Sequence, residues 1–142
     1  MIKDLYTSQS PEDTGAIAAE ILRAMPDGGV IALYGDLGAG KTVFARAFAA
    51  ALGITEPVSS PTYTILQEYP VPDGGMFYHL DLYRISDARA GLAFGVDEYL
   101  NEPGAWILAE WPERIETLLP PGTVRLQIRH LSETGREITR LS

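Results

Sequence analysis

The chain has no cysteine among its 142 residues, which excludes disulfides and thiolate metal centres. It has no apolar run approaching the roughly 18–20 residues of a membrane span. Its opening stretch, MIKDLYTSQS, carries no apolar core of a secretory signal, so the expected location is the cytoplasm, with no membrane partner. Basic residues are scarce: 11 Lys+Arg against 19 Asp+Glu leave a formal charge of −8. That sign opposes nonspecific binding to nucleic acid, which depends on basic residues displacing counterions. Internal repeats, low-complexity tracts and linkers are missing too, so residues 1–142 read as a single domain. What is present, 46% hydrophobic and 21% charged residues, is the composition of an ordinary globule and argues against disorder.

Hydrophobic spacing orders the elements. Ser10 can cap a helix with Pro11 at its first position and Asp13 where a capping acid belongs. Ile17, Ala18, Ile21, Leu22 and Met25 then form one apolar stripe, ended by Pro26, Asp27, Gly28 and Gly29. The run from Val30 to Tyr34 predicts a buried strand, and a second helix follows from about Lys41 to Leu52, with Gly53 past its end. Strands at 63–69 and 76–82 flank the hairpin signal VPDGG. Short helical pieces at 88–94 and 96–100, a strand at 105–110 and a short helix at 113–119 come next. Strands at 124–131 and 136–141 close the chain as a hairpin around Glu133, Thr134 and Gly135. The pattern is α/β: a mixed parallel and antiparallel sheet flanked by helices, with a strand-then-helix unit at its centre.

The chemistry begins at residues 35–42, GDLGAGKT, a full match to G-x-x-x-x-G-K-[ST]. Gly35, Gly38 and Gly40 allow the backbone to turn so that successive N–H groups, Ala39 among them, face phosphate oxygens. Lys41 supplies a charge for the β- and γ-phosphates and Thr42 a hydroxyl for magnesium. The helix starting at Lys41 adds the positive end of its dipole. Four fixed positions arise by chance in roughly one such chain in a few hundred, and here they sit between a strand and an amphipathic helix, as the motif requires. The expectation is a P-loop NTPase that binds ATP or ADP with Mg2+.

Such a site needs carboxylates opposite the loop, at the carboxyl ends of strands. Asp81 ends one predicted strand, on a face shared with Phe77 and His79; Glu110 ends another, on a face with Trp106 and Leu108. Burying acids on such faces is costly unless a metal or partner compensates, so both are expected to serve magnesium or the attacking water. His79 reads equally well as a hydrogen-bonded structural residue. In the segment VSSPTYT, Ser60 and Thr62 flank Pro61; their hydroxyls can follow the γ-phosphate as a switch does, or simply turn the chain into a strand. Trp111 follows Glu110 directly and can pack near nucleotide or partner, or in the core.

GDLGAGKT at 35–42, SPTYT at 60–64, HLDLYR at 79–84 and EWPE at 110–113, in this order, resemble the bacterial TsaE family (formerly YjeE) over nearly the whole chain. The resemblance implies a small mixed α/β P-loop fold with slow Mg2+-dependent ATP hydrolysis. It implies two partners, of the TsaD and TsaB type, that transfer threonylcarbamoyl to the adenosine beside the tRNA anticodon, with the ATPase resetting that complex. By motif it carries phosphate and magnesium binding to Lys41 and Thr42, magnesium or water positioning to Asp81 and Glu110, and an accompanying role to Trp111. Thr62 falls in the switch-like segment and Arg136 beside the nucleotide base. Val43 and Ala109 depart from the family pattern without removing a phosphate or metal ligand.

Three other readings compete. A small-molecule kinase would want an arginine-rich lid, and no arginine cluster is present. A regulatory GTPase would carry N-K-x-D, which is absent. A nucleotide-dependent interaction module without turnover stays open. With a charge of −8, any link to tRNA is expected to run through the partner proteins.

Overall fold

Ser10 opens the first helix, α1 (Pro11–Arg23), as its sequence predicts: the Asp13 N–H donates to Ser10 Oγ at 3.1 Å. Asp13 returns the favour one residue early, its Oδ2 accepting from the Gln9 N–H at 2.9 Å. The computed structural model describes residues 2–36, 40–58 and 65–141. Its centre is β2 (Gly29–Tyr34), buried from Val30 to Leu33. On one side β2 pairs in parallel with β5 (Trp106–Glu110), and β5 in turn with β4 (Met76–Asp81). On the other side it pairs in parallel with β6 (Val124–His130). Antiparallel strands finish both edges: β3 (Leu66–Pro70) against β4, and β7 (Arg136–Arg140) against β6.

A further strand, β1 (Leu5–Ser8), completes the order β1-β7-β6-β2-β5-β4-β3 by pairing antiparallel to β7. Sequence pattern gives no hint of it. Its inward residues are Tyr6 and Ser8, and the serine is buried only because its hydroxyl meets Thr14 Oγ1 at 2.7 Å and donates to the Ser10 carbonyl at 2.8 Å. The expected strand at 63–69 is β3, beginning at Leu66; residues 59–64, which hold Ser60, Pro61 and Thr62, lie outside the described residues.

Successive strand residues point to opposite faces, so the sheet has two cores. On one face α1 and α2 (Lys41–Ala51) cover Ile31, Leu33, Phe77, Leu108 and Leu126, with Phe44 and Phe48 fully buried between layers. On the other face the short helices α3 (Ala88–Ala93) and α4 (Val96–Leu100) lie with Tyr78, Leu80, Ile107 and Ala109. The helix expected at 113–119 is a 3-10 turn over Pro112–Leu118, interrupted where Ile115 leaves helical geometry (φ −131°, ψ 30°). Ile115 is fully buried, so packing holds it there. Because β2, β4, β5 and β6 run parallel, their carboxyl ends gather at one edge, and the start of α2 returns to the same edge.

Candidate active site

Gly40 caps α2 with φ 101°, ψ 20°, a left-handed backbone that a side chain rarely adopts. It is also crowded, because a Cβ there would lie 2.6 Å from Arg136 Nε. Lys41 follows as the first helical residue and is buried, a poor place for an ammonium without an anion. Its Nζ donates to the Gly35 carbonyl at 2.6 Å and stands 3.9 Å from the centre of the Trp111 ring. Burial pushes its pKa below the ordinary lysine value, while the acids Glu110, Glu113, Asp81 and Asp36 pull the other way. Thr42 is next on α2, half-buried.

The acids come from the paired ends of β4 and β5, where Asp81 stands opposite Glu110 in register. Glu110 is 3% exposed, and its Oε2 lies 2.5 Å from Nε2 of His79, which is wholly buried. Asp81 is more open, and its Oδ1 accepts from the Tyr83 N–H at 3.1 Å, fixing the turn that leaves β4. Trp111 has φ 59°, ψ 47°, the only non-glycine with positive φ among the described residues. That backbone costs about 1–2 kcal/mol and turns the indole toward Lys41 on one side and Tyr83, at 5.0 Å, on the other. Strain of this kind persists where the surroundings over-determine it, commonly at functional sites.

Arg136 opens β7 on the flank of the same edge. Its Nη1 donates to the carbonyls of Ser132 (3.4 Å) and Gly135 (3.1 Å), while its Nε is buried beside Gly40 with no partner among the described residues. A cavity of about 530 Å³ opens beside this edge, lined by Tyr34, Gly35, Asp36, Trp111, Glu113 and Gln127 among others.

The structure therefore brings Gly40, Lys41, Thr42, Asp81, Glu110, Trp111 and Arg136 to one edge of the sheet. Gly38, Ala39 and Thr62 lie outside the described residues. Three features escaped sequence reasoning. The Gly35 carbonyl holds the lysine, Asp36 and Glu113 add negative charge around it, and His79 grips Glu110. Only the last left a trace, in the alternation that put Phe77, His79 and Asp81 on one face.

This arrangement can be set against known proteins. Residues 8–138 match the family model described as TsaE, threonylcarbamoyl adenosine biosynthesis protein TsaE. A tRNA threonylcarbamoyladenosine biosynthesis protein TsaE from Bacillus subtilis is 44% identical over 135 residues, 94% of this chain and 82% of that protein. One of the same description from Aquifex aeolicus is 39% identical over 132 residues, 92% and 90% of the two chains. The crystal structure of Bacillus subtilis YdiB superposes with a TM-score of 0.75 at 38% identity, covering 99% of this chain and 86% of that one. With the match running from β1 into β7 and enclosing every described site residue, the chain belongs to the TsaE family, whose role lies in tRNA threonylcarbamoyladenosine biosynthesis.

Proposed function

We propose that this chain is a Mg2+-dependent ATPase whose cycle supports turnover of a partner threonylcarbamoyltransferase complex acting on tRNA. The observation that carries the reading is Lys41. Among the described residues the buried ammonium has direct contact only with a neutral carbonyl and an indole face, its acidic neighbours acting on it without forming an ion pair, and a phosphate oxygen would complete it. A loop of this motif would add backbone donors at Gly38, Ala39 and Gly40.

The donor set fits magnesium. The Thr42 hydroxyl and the Asp81 and Glu110 carboxylates are hard oxygens, the kind that ion prefers. Among the described residues no cluster of three or more His, Cys, Asp or Glu could hold a metal alone. Magnesium is commonly shared between one or two carboxylates and the nucleotide's phosphates. When bound, the ion neutralises charge building on the phosphates. Lys41 would exchange the Gly35 carbonyl for phosphate, and Asp81 and Glu110 would orient the attacking water. Trp111 would pack over the exchanged lysine, Thr62 would follow the γ-phosphate, and Arg136 would sit beside the nucleoside. The partners are proteins of the TsaD and TsaB type in the cytoplasm, and with a net charge of −8 contact with tRNA is left to them.

The test is a reconstituted modification assay with ATP hydrolysis followed in parallel, and tRNA binding by the isolated chain at physiological salt. Hydrolysis in the presence of the partners, loss of sustained modification without this chain, and weak tRNA binding support the reading. Full multi-turnover modification in its absence, or tight tRNA binding by the chain alone, defeats it.

A further inference from the structure

Glu110 ends β5 on the apolar face where α2 packs, and a carboxylate there needs something to hold it. His79 is its diagonal neighbour: in the parallel register His79 stands opposite Leu108, one step back on the same face. Its side chain is fully buried, and the Phe77 ring lies nearly parallel to it, 6.4 Å away and inclined by 15°. Nε2 reaches Glu110 Oε2 at 2.5 Å, whereas Nδ1 is buried with no partner among the described residues. The hydrogen-bond network assigns the tautomer. A proton on Nδ1 would be a buried donor lacking an acceptor, which costs more than a bare lone pair. The proton therefore sits on Nε2 and is donated to Oε2.

We propose that His79 is a positioning residue that locks the Glu110 carboxylate by one oxygen and leaves Oε1 alone to act at the nucleotide site. This rests on the hydrolytic reading of Glu110. Held by a single directional bond, the carboxylate cannot swing between rotamers, and misplacing a catalytic group by about 1 Å costs about 100-fold in rate. Stability alone does not demand the pair, since an apolar pair of similar volume would serve a sheet interior as well. Its value lies in fixing an acid at the strand end where the lysine and phosphate loop converge.

Three substitutions separate positioning from packing. A glutamine amide nitrogen can reach the place of Nε2, an asparagine nitrogen reaches only that of Nδ1, and phenylalanine fills the volume without a donor. With partner proteins present, His79→Gln should keep most of the wild-type kcat. His79→Asn and His79→Phe should lose roughly 10- to 100-fold in kcat, the range of second-layer hydrogen-bond losses, while KM for ATP and ADP affinity stay within about two-fold. Equal losses in all three variants, a fall in ADP affinity parallel to kcat, or wild-type turnover by His79→Phe would overturn the proposal. Nitrogen-15 NMR of the nucleotide-free chain checks the same geometry without any turnover. It should show a protonated Nε2 and a bare Nδ1, with the Nε2 proton shifted in Glu110→Ala; a bare Nε2 would overturn the proposal. Wild-type protein that fails to hydrolyse ATP would sink the ATPase reading, while the NMR result would still decide how His79 holds Glu110.

Discussion

The two tryptophans bracket β5, and they behave in opposite ways. Trp106 begins the strand, packs against the larger core and donates its Nε1–H to the Met25 carbonyl at 2.8 Å. Every polar feature of that indole is answered within the fold. Trp111 follows the strand's last residue, in a left-handed backbone, with its ring against a buried lysine cation. Five residues separate a satisfied end of the sheet from a strained and under-compensated one. The amino ends of the parallel strands are built for stability. On the proposed reading, the carboxyl ends give up stability in favour of charges held ready for a ligand, the trade expected of a functional site.

The sharpest way to break this contrast is to remove the acids. Asp81→Ala and Glu110→Ala should each lower ATP hydrolysis by about 100-fold or more, the range for loss of a positioned acid or base, while ADP binding changes little. Steady-state hydrolysis with partner proteins present is the measurement. If both single variants hydrolyse at the wild-type rate, the carboxyl edge is not the catalytic centre.

Substitution at the other end should give the mirror image. Trp106→Phe removes the indole donor and leaves the Met25 carbonyl only the longer bond from the Gly28 N–H at 3.3 Å, which should cost about 1 kcal/mol of stability, read by urea unfolding, with ADP affinity unchanged. That same variant isolates Trp111, whose fluorescence should still respond to ADP. A nucleotide response carried wholly by Trp106 would reverse the assignment of the two ends.

The smallest effect concerns Lys41 without nucleotide. Its pKa is lowered in the fold from the ordinary 10.5, chiefly by burial. The unfolded chain therefore binds the proton more readily, and stability rises with pH between the lowered folded value and 10.5. Below that window the penalty is fully present. Lys41→Met should raise the thermal midpoint by a few degrees at neutral pH, and the gain should vanish above pH 10.5. Calorimetric melts at neutral and strongly alkaline pH check this, and a variant less stable than wild type at neutral pH would contradict it.

Much of this was legible in the sequence because local rules dictated it. The Ser10 cap, the apolar stripe of α1 and the VPDGG hairpin each report their structure within a few residues, and the end of the G-x-x-x-x-G-K-[ST] motif reports the start of α2 at Gly40 and Lys41. What escaped depends on pairing between distant segments. β1 is too short and too polar on its inner side to announce itself, and it exists because β7, at the far end of the chain, offers an edge. Arg136 reaches Gly40 only because the β6–β7 hairpin folds back beside α2. His79 and Glu110 lie 31 positions apart, and each sat on the expected face, but the parallel register that joins them appears only once the sheet is assembled. The left-handed turn at Trp111 has no signal at all, since no glycine or asparagine marks it.

The most direct test of an unsatisfied carboxyl edge is a calorimetric titration of ADP with Mg2+ into the wild-type chain and into Lys41→Ala, each with a thermal melt. The account predicts that the variant stays folded, melts no lower than wild type without nucleotide, and binds ADP roughly 10- to 100-fold more weakly, the loss of one charge-assisted hydrogen bond. A folded Lys41→Ala protein that binds ADP as tightly as wild type would contradict it.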